Sequence, residues 1–382
     1  MGFARQSKPR NKLAASPFRA DPAGLLGHDR RICLGGSEVT ESMNSESPEQ
    51  ALTIYLEHRE TELSPESLSS YEYRLNYFLD WCDQNDIDDI SDITPRDIHD
   101  FKAWRRDEGA DCDGELAKPT LKSNMDCLRG FLEYLERLNY AQSDIHESAE
   151  SPTLKGDENV RDHIVTAEQA EAILTRLDRY SYASKPHMLF VLAWSTGART
   201  GALRSLDLAD YGPQDEYVEF VHRPDTDTRL KNGSNGERMV ALRPETCAII
   251  DDYIAETRPN VTDEYGRKPL LATKHGRMAA NTIRGWIYRL TRPCWWGDGC
   301  PHDRDQDDCK AATNDNYSYE CPSTTGPHSV RRGAITTHLN ADVPREIVSD
   351  RAQVSESVLE KHYDGRSERE KMEQRRGFLD NI

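Results

Sequence analysis

The chain has 382 residues, 36% of them hydrophobic, a mean hydropathy of -0.81 and a formal net charge of -18. That length suits two or three domains, and no run approaches the ~18 apolar residues of a membrane span. The chain does not open on an apolar signal-peptide core, and its nine cysteines do not form a secreted disulfide framework, so a cytoplasmic protein with no membrane partner is expected. An acidic balance also argues against a nucleic-acid partner, which calls for a basic footprint. Here the acids are spread along the whole chain, and Arg far outnumbers Lys among the 49 basic residues. That pattern fits a halophilic protein: in molar salt the Debye length is ~3 Å, and acidic surface repels DNA only at close range.

Residues 1–46 mix Arg, Pro, Gly and Ser without periodicity. The first part is basic (Arg5, Lys8, Arg10, Lys12, Arg19, Arg30, Arg31), opposite in sign to the rest. It reads either as a DNA-binding arm or as sequence upstream of a start at Met43, and the composition break favours the second. Helical signals begin at Ser47-Pro48 and recur at Ser64-Pro65 and Thr94-Pro95, a cap followed by Pro at the first helical position. Apolar stripes at helical spacing follow: Leu68, Tyr71, Leu75, Phe78, Leu79 and Cys82, then Ile98, Phe101 and Trp104, then Leu121, Met125, Leu128, Phe131, Leu132 and Leu135. Four helices between 48 and 140 predict an all-α domain over 47–144, followed by a polar linker at 145–162.

A second domain is expected over 163–382. Thr166 with Gln169 forms a capping-box pattern. The segment from Pro186 to Ser195 is apolar nearly all round, so it predicts a buried helix, stopped at Gly197. Tyr217-Val218 with Phe220-Val221, and Met239 to Leu242, read as two strands of a small antiparallel sheet. The turn between them is rich in Asn-Gly and carries Lys231. Helices resume near Glu245 and near Asn281. Cys294, Cys300, Cys309 and Cys321 follow, with His302 close by and Pro, Gly, Asp and Asn between them. Nothing in the 294–321 stretch reads as a core, so a structural zinc held by four Cys, or by three Cys and His302, is expected to order it.

His328 and Arg331 are three residues apart, one helical turn, so both can face one anion. Tyr363 follows 32 residues after Arg331, and Arg199 lies upstream in Thr196-Gly197-Ala198-Arg199. Two guanidiniums match a phosphate, an imidazole can take a proton, and a phenol can attack phosphorus.

In that order, Arg199 with Leu203 and Leu206, Lys231 with Glu237-Arg238, His328-Ser-Val-Arg331, and Lys361-His362-Tyr363-Asp364 resemble the four motifs of the tyrosine recombinase, or phage-type integrase, family. The resemblance spans about 48–376 and is haloarchaeal in flavour. It implies a mainly α fold with an N-terminal four-helix core-binding (SAM-like) domain. An α+β catalytic domain with a small antiparallel sheet follows. The implied function is site-specific DNA cleavage and rejoining through a 3′-phosphotyrosine, on double-stranded DNA and as a homo-oligomer, with no catalytic cofactor. Arg199, Arg331 and His328 then bind phosphate or move the phenol proton, Lys231 protonates the leaving oxygen, and Tyr363 is the nucleophile. Two positions depart from the family pattern. Ala202 stands where a Glu is usual, and Gln353 occupies the place of a second His or a Trp. A catalytically inactive, zinc-containing DNA-binding regulator on the same scaffold is the alternative.

Overall fold

The computed structural model describes residues 43–107, 115–155, 164–297, 299–341 and 343–363, with Arg369, Met372, Glu373 and Arg376. The basic stretch 1–42 lies outside the described residues, as do Asp364 and the side chains of Lys361 and His362. The chain divides after Thr153 into two compact units, each with its own core.

In the first unit, α1 (Pro48–Glu60) and α2 (Pro65–Gln84) start with the same device. The Ser47 and Ser64 hydroxyls accept the N–H groups of Gln50 and Ser67, and Pro in the first turn lacks only an N–H that would have no partner there. Ahead of α3 (Pro95–Asp107), the Thr94 hydroxyl and N–H both donate to Asp97. α4 (Lys118–Arg137) buries Leu121, Met125, Leu128, Phe131, Leu132 and Leu135 on one stripe. The four stripes close on Tyr55, Phe78, Trp81, Phe101 and Phe131, with Phe78 and Phe101 edge to face at 5.1 Å.

The segment after 144 corrects the expected linker boundary. Ile145 and Ala149, at 2% and 0% exposure, belong to this helical core, and Arg129 donates to the Ala149 carbonyl at 2.6 Å. A single 3-10 turn, Ile145–Ser148, is too short to show a period in sequence, yet two apolar side chains dock it.

The second unit is organised around α6. α5 (Ala167–Tyr180) opens with a complete capping box between Thr166 and Gln169. α6 (Lys185–Thr196) buries His187 through Ala193 without a break, and Gly197 ends it in the left-handed region at φ 60°. α7 (Thr200–Ser205) follows directly. β1 (Tyr211–Gly212), β2 (Tyr217–Phe220) and β3 (Arg238–Ala241) form an antiparallel sheet in that order, with Val218 opposite Val240 and Phe220 opposite Arg238. α8 (Pro244–Asp252) leads to a short hairpin of β4 (Ala272–Thr273) and β5 (Gly276–Arg277). After α9 (Ala280–Thr291) come α10 (Pro293–Trp296) and α11 (Lys310–Thr313) in the cysteine-rich stretch. α12 (Pro327–Asn340), α13 (Arg345–Ala352) and α14 (Glu356–His362) complete the described chain. The fold is mainly helical with small antiparallel sheets, as expected. β1 and the β4–β5 hairpin are additions, since two-residue strands carry no alternation to read.

A buried ion network holds the β2–β3 connection, residues 221–237. Arg277 pairs with Asp263 at 2.8 Å and with Asp207, and all three side chains are at most 7% exposed. Arg267 pairs with Asp263 at 3.0 Å and donates to the Thr226 carbonyl and the Thr228 hydroxyl. Arg223 donates to Asp210 at 3.0 Å. Burying these charges is tolerable because each has a partner; removing one partner would leave an uncompensated charge.

α12 lies directly against the chain at Val165, whose N–H donates to the Ser329 carbonyl. A methyl group on Gly333 would sit 1.8 Å from the Val165 carbonyl oxygen and 3.0 Å from the Trp194 ring. Gly333→Ala is therefore expected to lose about 1–3 kcal/mol through overpacking. Urea unfolding of the variant reads this as a lower midpoint, and an unchanged midpoint would mean that α12 has room to lift.

Candidate active site

α13 ends at Ala352, and Gln353 turns the chain in the left-handed conformation at φ 52°. The last carbonyls of a helix have no partner within it; here arginines from distant parts of the chain supply the donors. Arg238 Nε donates to the Arg351 carbonyl at 2.9 Å and Arg331 Nη1 to the Ala352 carbonyl at 2.6 Å. Arg199 Nη1 donates to the Gln353 carbonyl at 2.8 Å and to its side-chain Oε1 at 2.7 Å. Arg331 Nη1 also reaches the Gly197 carbonyl at 2.6 Å, tying the end of α6 to the same point.

Local sequence explains these positions. The Gly197 stop delivers Arg199 to the start of α7. Pro327 fixes the start of the 14-residue α12, so His328 and Arg331 both lie in or next to its first turn, where the helix dipole favours an anion. Tyr363 follows α14 at 7% exposure, packed in the cluster of Ile335, Leu339, Val348 and Leu359. Its phenol lies close enough to Arg331 to raise that guanidinium's pKa against the effect of burial.

Lys231 is exposed on the β2–β3 connection. His222 steadies that loop, its Nδ1 accepting the Leu230 N–H at 2.9 Å and its own N–H donating to Glu237 at 2.9 Å. Gly236, at the far end, lies against Gln353: a methyl there would be 3.3 Å from Gln353 Nε2. Arg199, His328, Arg331, Gln353 and Tyr363 thus converge, and Lys231 is near enough for its charge to act on His328. Ala202, where a Glu was expected, is simply core at 7% exposure.

The electrostatics are one-sided. Burial, then the charge of Arg199, holds the Arg331 guanidinium down to about 10, with Tyr363 opposing. Burial, then Arg331, Arg199 and Arg351, holds Arg238 to about 10 as well. Burial also lowers Arg199. Among the described residues, no carboxylate is paired with any of these three. His328 is an exposed side chain. Even so, desolvation, followed by the charges of Arg331, Arg332, Arg199 and Lys231, pushes its pKa below the ordinary histidine value. A neutral imidazole beside unpaired guanidiniums can accept a proton, and the guanidiniums can hold an anion.

The cysteine-rich stretch gives the zinc expectation no support. Burial, with neighbouring Cys321 and Cys300, raises the Cys294 thiol against the pull of Arg292. His302 turns Nε2 inward without a partner. Even so, among the described residues no three His, Cys, Asp or Glu side chains converge as a metal site, so the arrangement of Cys294, Cys300, His302, Cys309 and Cys321 does not support one. Packing contacts hold the stretch. Arg292 donates to the Ala311 carbonyl, Lys310 pairs with Glu320 at 2.9 Å and lies 3.5 Å from the Tyr317 ring centre, and Ala311 and Ser318 are buried. Trp295 and Trp296 pack on the main core. The sequence reading missed this because the aromatics that anchor the stretch, Trp295, Trp296 and Tyr317, are too few and too unevenly spaced to show a period.

Residues 51–139 match the family described as phage integrase, N-terminal SAM-like domain. The N-terminal domain of a phage integrase/site-specific recombinase from Haloarcula marismortui is 32% identical, covering 28% of this chain and 99% of that one, with a TM-score of 0.26. The Tn1549 transposon integrase, in complex with a circular intermediate DNA, is 15% identical over 88% of this chain and 99% of its own, with a TM-score of 0.61. A lambda integrase dimer bound to a COC′ core site is 14% identical over 85% of this chain and 79% of its own, at 0.57. The chain has the tyrosine-recombinase fold. No curated protein matches it, and no described helix is long and apolar enough to cross a membrane.

Within this recombinase fold, Arg238 and Arg351 are site-shaping residues; the sequence reading named Arg238 only alongside Lys231 and gave Arg351 no role. Arg351 donates to the Ser195 and Ala241 carbonyls at 2.7 Å each. Arg238 carried a legible signal: on β3 it shares a face with Val240, so it points inward.

Two tests follow from this geometry. The His328 ring, titrated by NMR, is expected to turn over below its ordinary value of about 6.5, and Arg332→Gln should move that midpoint upward by removing one repelling charge. A midpoint at or above 6.5 in the parent protein contradicts the desolvated, cationic site. For the cysteines, Cys309→Ser should change stability by less than ~0.5 kcal/mol, as for a substitution away from core or ligand roles. A large loss, together with stoichiometric zinc in the parent protein, would reinstate the metal.

Proposed function

We propose that this protein is a site-specific DNA recombinase that cleaves and rejoins DNA strands through a covalent 3′-phosphotyrosine. The observation that carries the proposal is the pair of guanidiniums of Arg199 and Arg331 gathered beside Tyr363 and His328. Both are desolvated and unpaired with any described carboxylate, and Arg331 lies beside the buried phenol of Tyr363. A phosphodiester supplies the missing anion. In-line attack increases the charge on its non-bridging oxygens, and guanidiniums already in place stabilise that charge without reorganisation.

In this reading the Tyr363 oxygen bonds to phosphorus as the P–O5′ bond breaks. His328, held neutral, accepts the phenol proton, and Lys231 gives a proton to the departing 5′-oxygen. Gln353 orients the phosphate through its side-chain amide. The phosphotyrosine conserves the bond energy, so the reverse step reseals a strand without ATP. The partner is double-stranded DNA, gripped in part by the helical unit, and a second copy of this chain on the same DNA completes the exchange. The acidic surface and buried guanidiniums suit this chemistry in concentrated salt, where screening acts on exposed charges far more than on buried ones.

The decisive experiment uses a nicked suicide DNA substrate and a denaturing gel. The wild-type chain should form a covalent adduct, and Tyr363→Phe should form none while still retarding DNA in a native gel. Arg199→Ala should slow single-turnover cleavage by ~10²-fold or more, the scale of losing one preorganised oxyanion donor. An adduct with the Phe variant sinks the nucleophile assignment. DNA binding with no adduct from wild type would leave a binding protein on a recombinase scaffold.

A further inference from the structure

We propose that Arg238 is a positioning residue that staples the Lys231 connection to the phosphate-binding arginines and so sets the reach of the leaving-group proton donor. This rests on the phosphodiester-transfer reading of the same site. Arg238 uses its planar fork on two elements at once. Nε donates to the Arg351 carbonyl on α13 at 2.9 Å, and Nη1 donates to the Gly236 carbonyl at 3.0 Å. Gly236 is the buried end of the connection that carries Lys231, and it lies against the Gln353 side chain. The guanidinium also lies 4.3 Å from the ring centre of Phe220, its register partner on β2. A ring on one side and a carbonyl from each neighbouring element leave the fork little freedom.

The charge on Arg238 is the second observation. Two carbonyls could be bridged by a neutral amide, yet a guanidinium is kept at a place where burial and the charges of Arg331 and Arg199 act against it. The part-buried arginines around the rest of the connection are neutralised: Arg223 pairs with Asp210, Arg267 and Arg277 with Asp263, and Arg204 with Asp227 near its start. Arg238 faces the cationic pocket with no described carboxylate, so an anion entering the pocket strengthens its hold. The staple is therefore tightest when phosphate is present, which is when Lys231 has to be in reach.

The test compares two substrates in single-turnover cleavage. One carries the normal 5′-oxygen leaving group. The other has sulfur at that bridging position, which leaves as a thiolate without needing a proton. Arg238→Met and Lys231→Ala are each expected to slow the oxygen substrate by ~10-fold or more, within the range given for positioned proton transfer. Both should recover to within about threefold of wild type on the sulfur substrate, and the double variant should be no slower than the worse single one. R238K keeps the charge and loses the fork, so it should be slow on oxygen and recover on sulfur. It also serves as the folding control if the Met variant proves unstable. If Lys231→Ala recovers on sulfur and neither Arg238 variant does, Arg238 acts elsewhere and the inference fails while the overall reading stands. Multiplicative losses in the double variant have the same meaning. If wild type forms no covalent adduct with either substrate, the reading itself fails.

Discussion

The site depends on one helix end. The last carbonyls of α13 carry the negative pole of that helix, and three arginines from β3, α12 and the start of α7 bind them in succession. These arginines lie more than a hundred residues apart along the chain at the extremes, and no contact between their side chains could gather them, since like charges repel. The helix end supplies what they share. Arg351, on the same turn, reaches back to the carbonyls of Ser195 and Ala241, so the turn both donates and accepts and is fixed from either side.

Carbonyl dipoles solvate a guanidinium but do not neutralise it, and this separates two regions of the unit. Under the β2–β3 connection, Asp207, Asp210 and Asp263 meet Arg223, Arg267 and Arg277 in compensated pairs that hold the loop in place. At the pocket the arginines keep their charge, and their lowered pKa values express how strongly the folded chain resists it. A protein with a formal charge of -18 thus concentrates unpaired positive charge at one desolvated spot. Net charge describes the surface, and it says little about what a single site will bind.

Much of this was legible in sequence because the relevant signals are local. The Ser-Pro helix starts, the Thr166–Gln169 capping box, the all-apolar α6 and the Gly197 stop each depend on a few adjacent residues. The spacing of His328 and Arg331 likewise requires only helix geometry. What stayed hidden depends on partners far along the chain. Ile145 and Ala149 read as linker because their burial comes from α4. The role of Arg238 could be half read from Val240 two residues on, but its second partner lies on α13. The cysteine-rich stretch differs again: four cysteines in a polar segment imply a metal when no core is visible, whereas the aromatic and ionic contacts found there are too sparse to form a pattern in sequence.

The close approach of α12 to Val165 has a mechanical side. Val165 lies just ahead of α5, and its amide is bonded to Ser329, between His328 and Arg331. Gly333, one turn further on, lets the two backbones touch without a cushioning side chain. A displacement of Val165 would therefore be felt first on the helix turn that bears the imidazole and the buried guanidinium. A single backbone contact and the reactive groups share one joint.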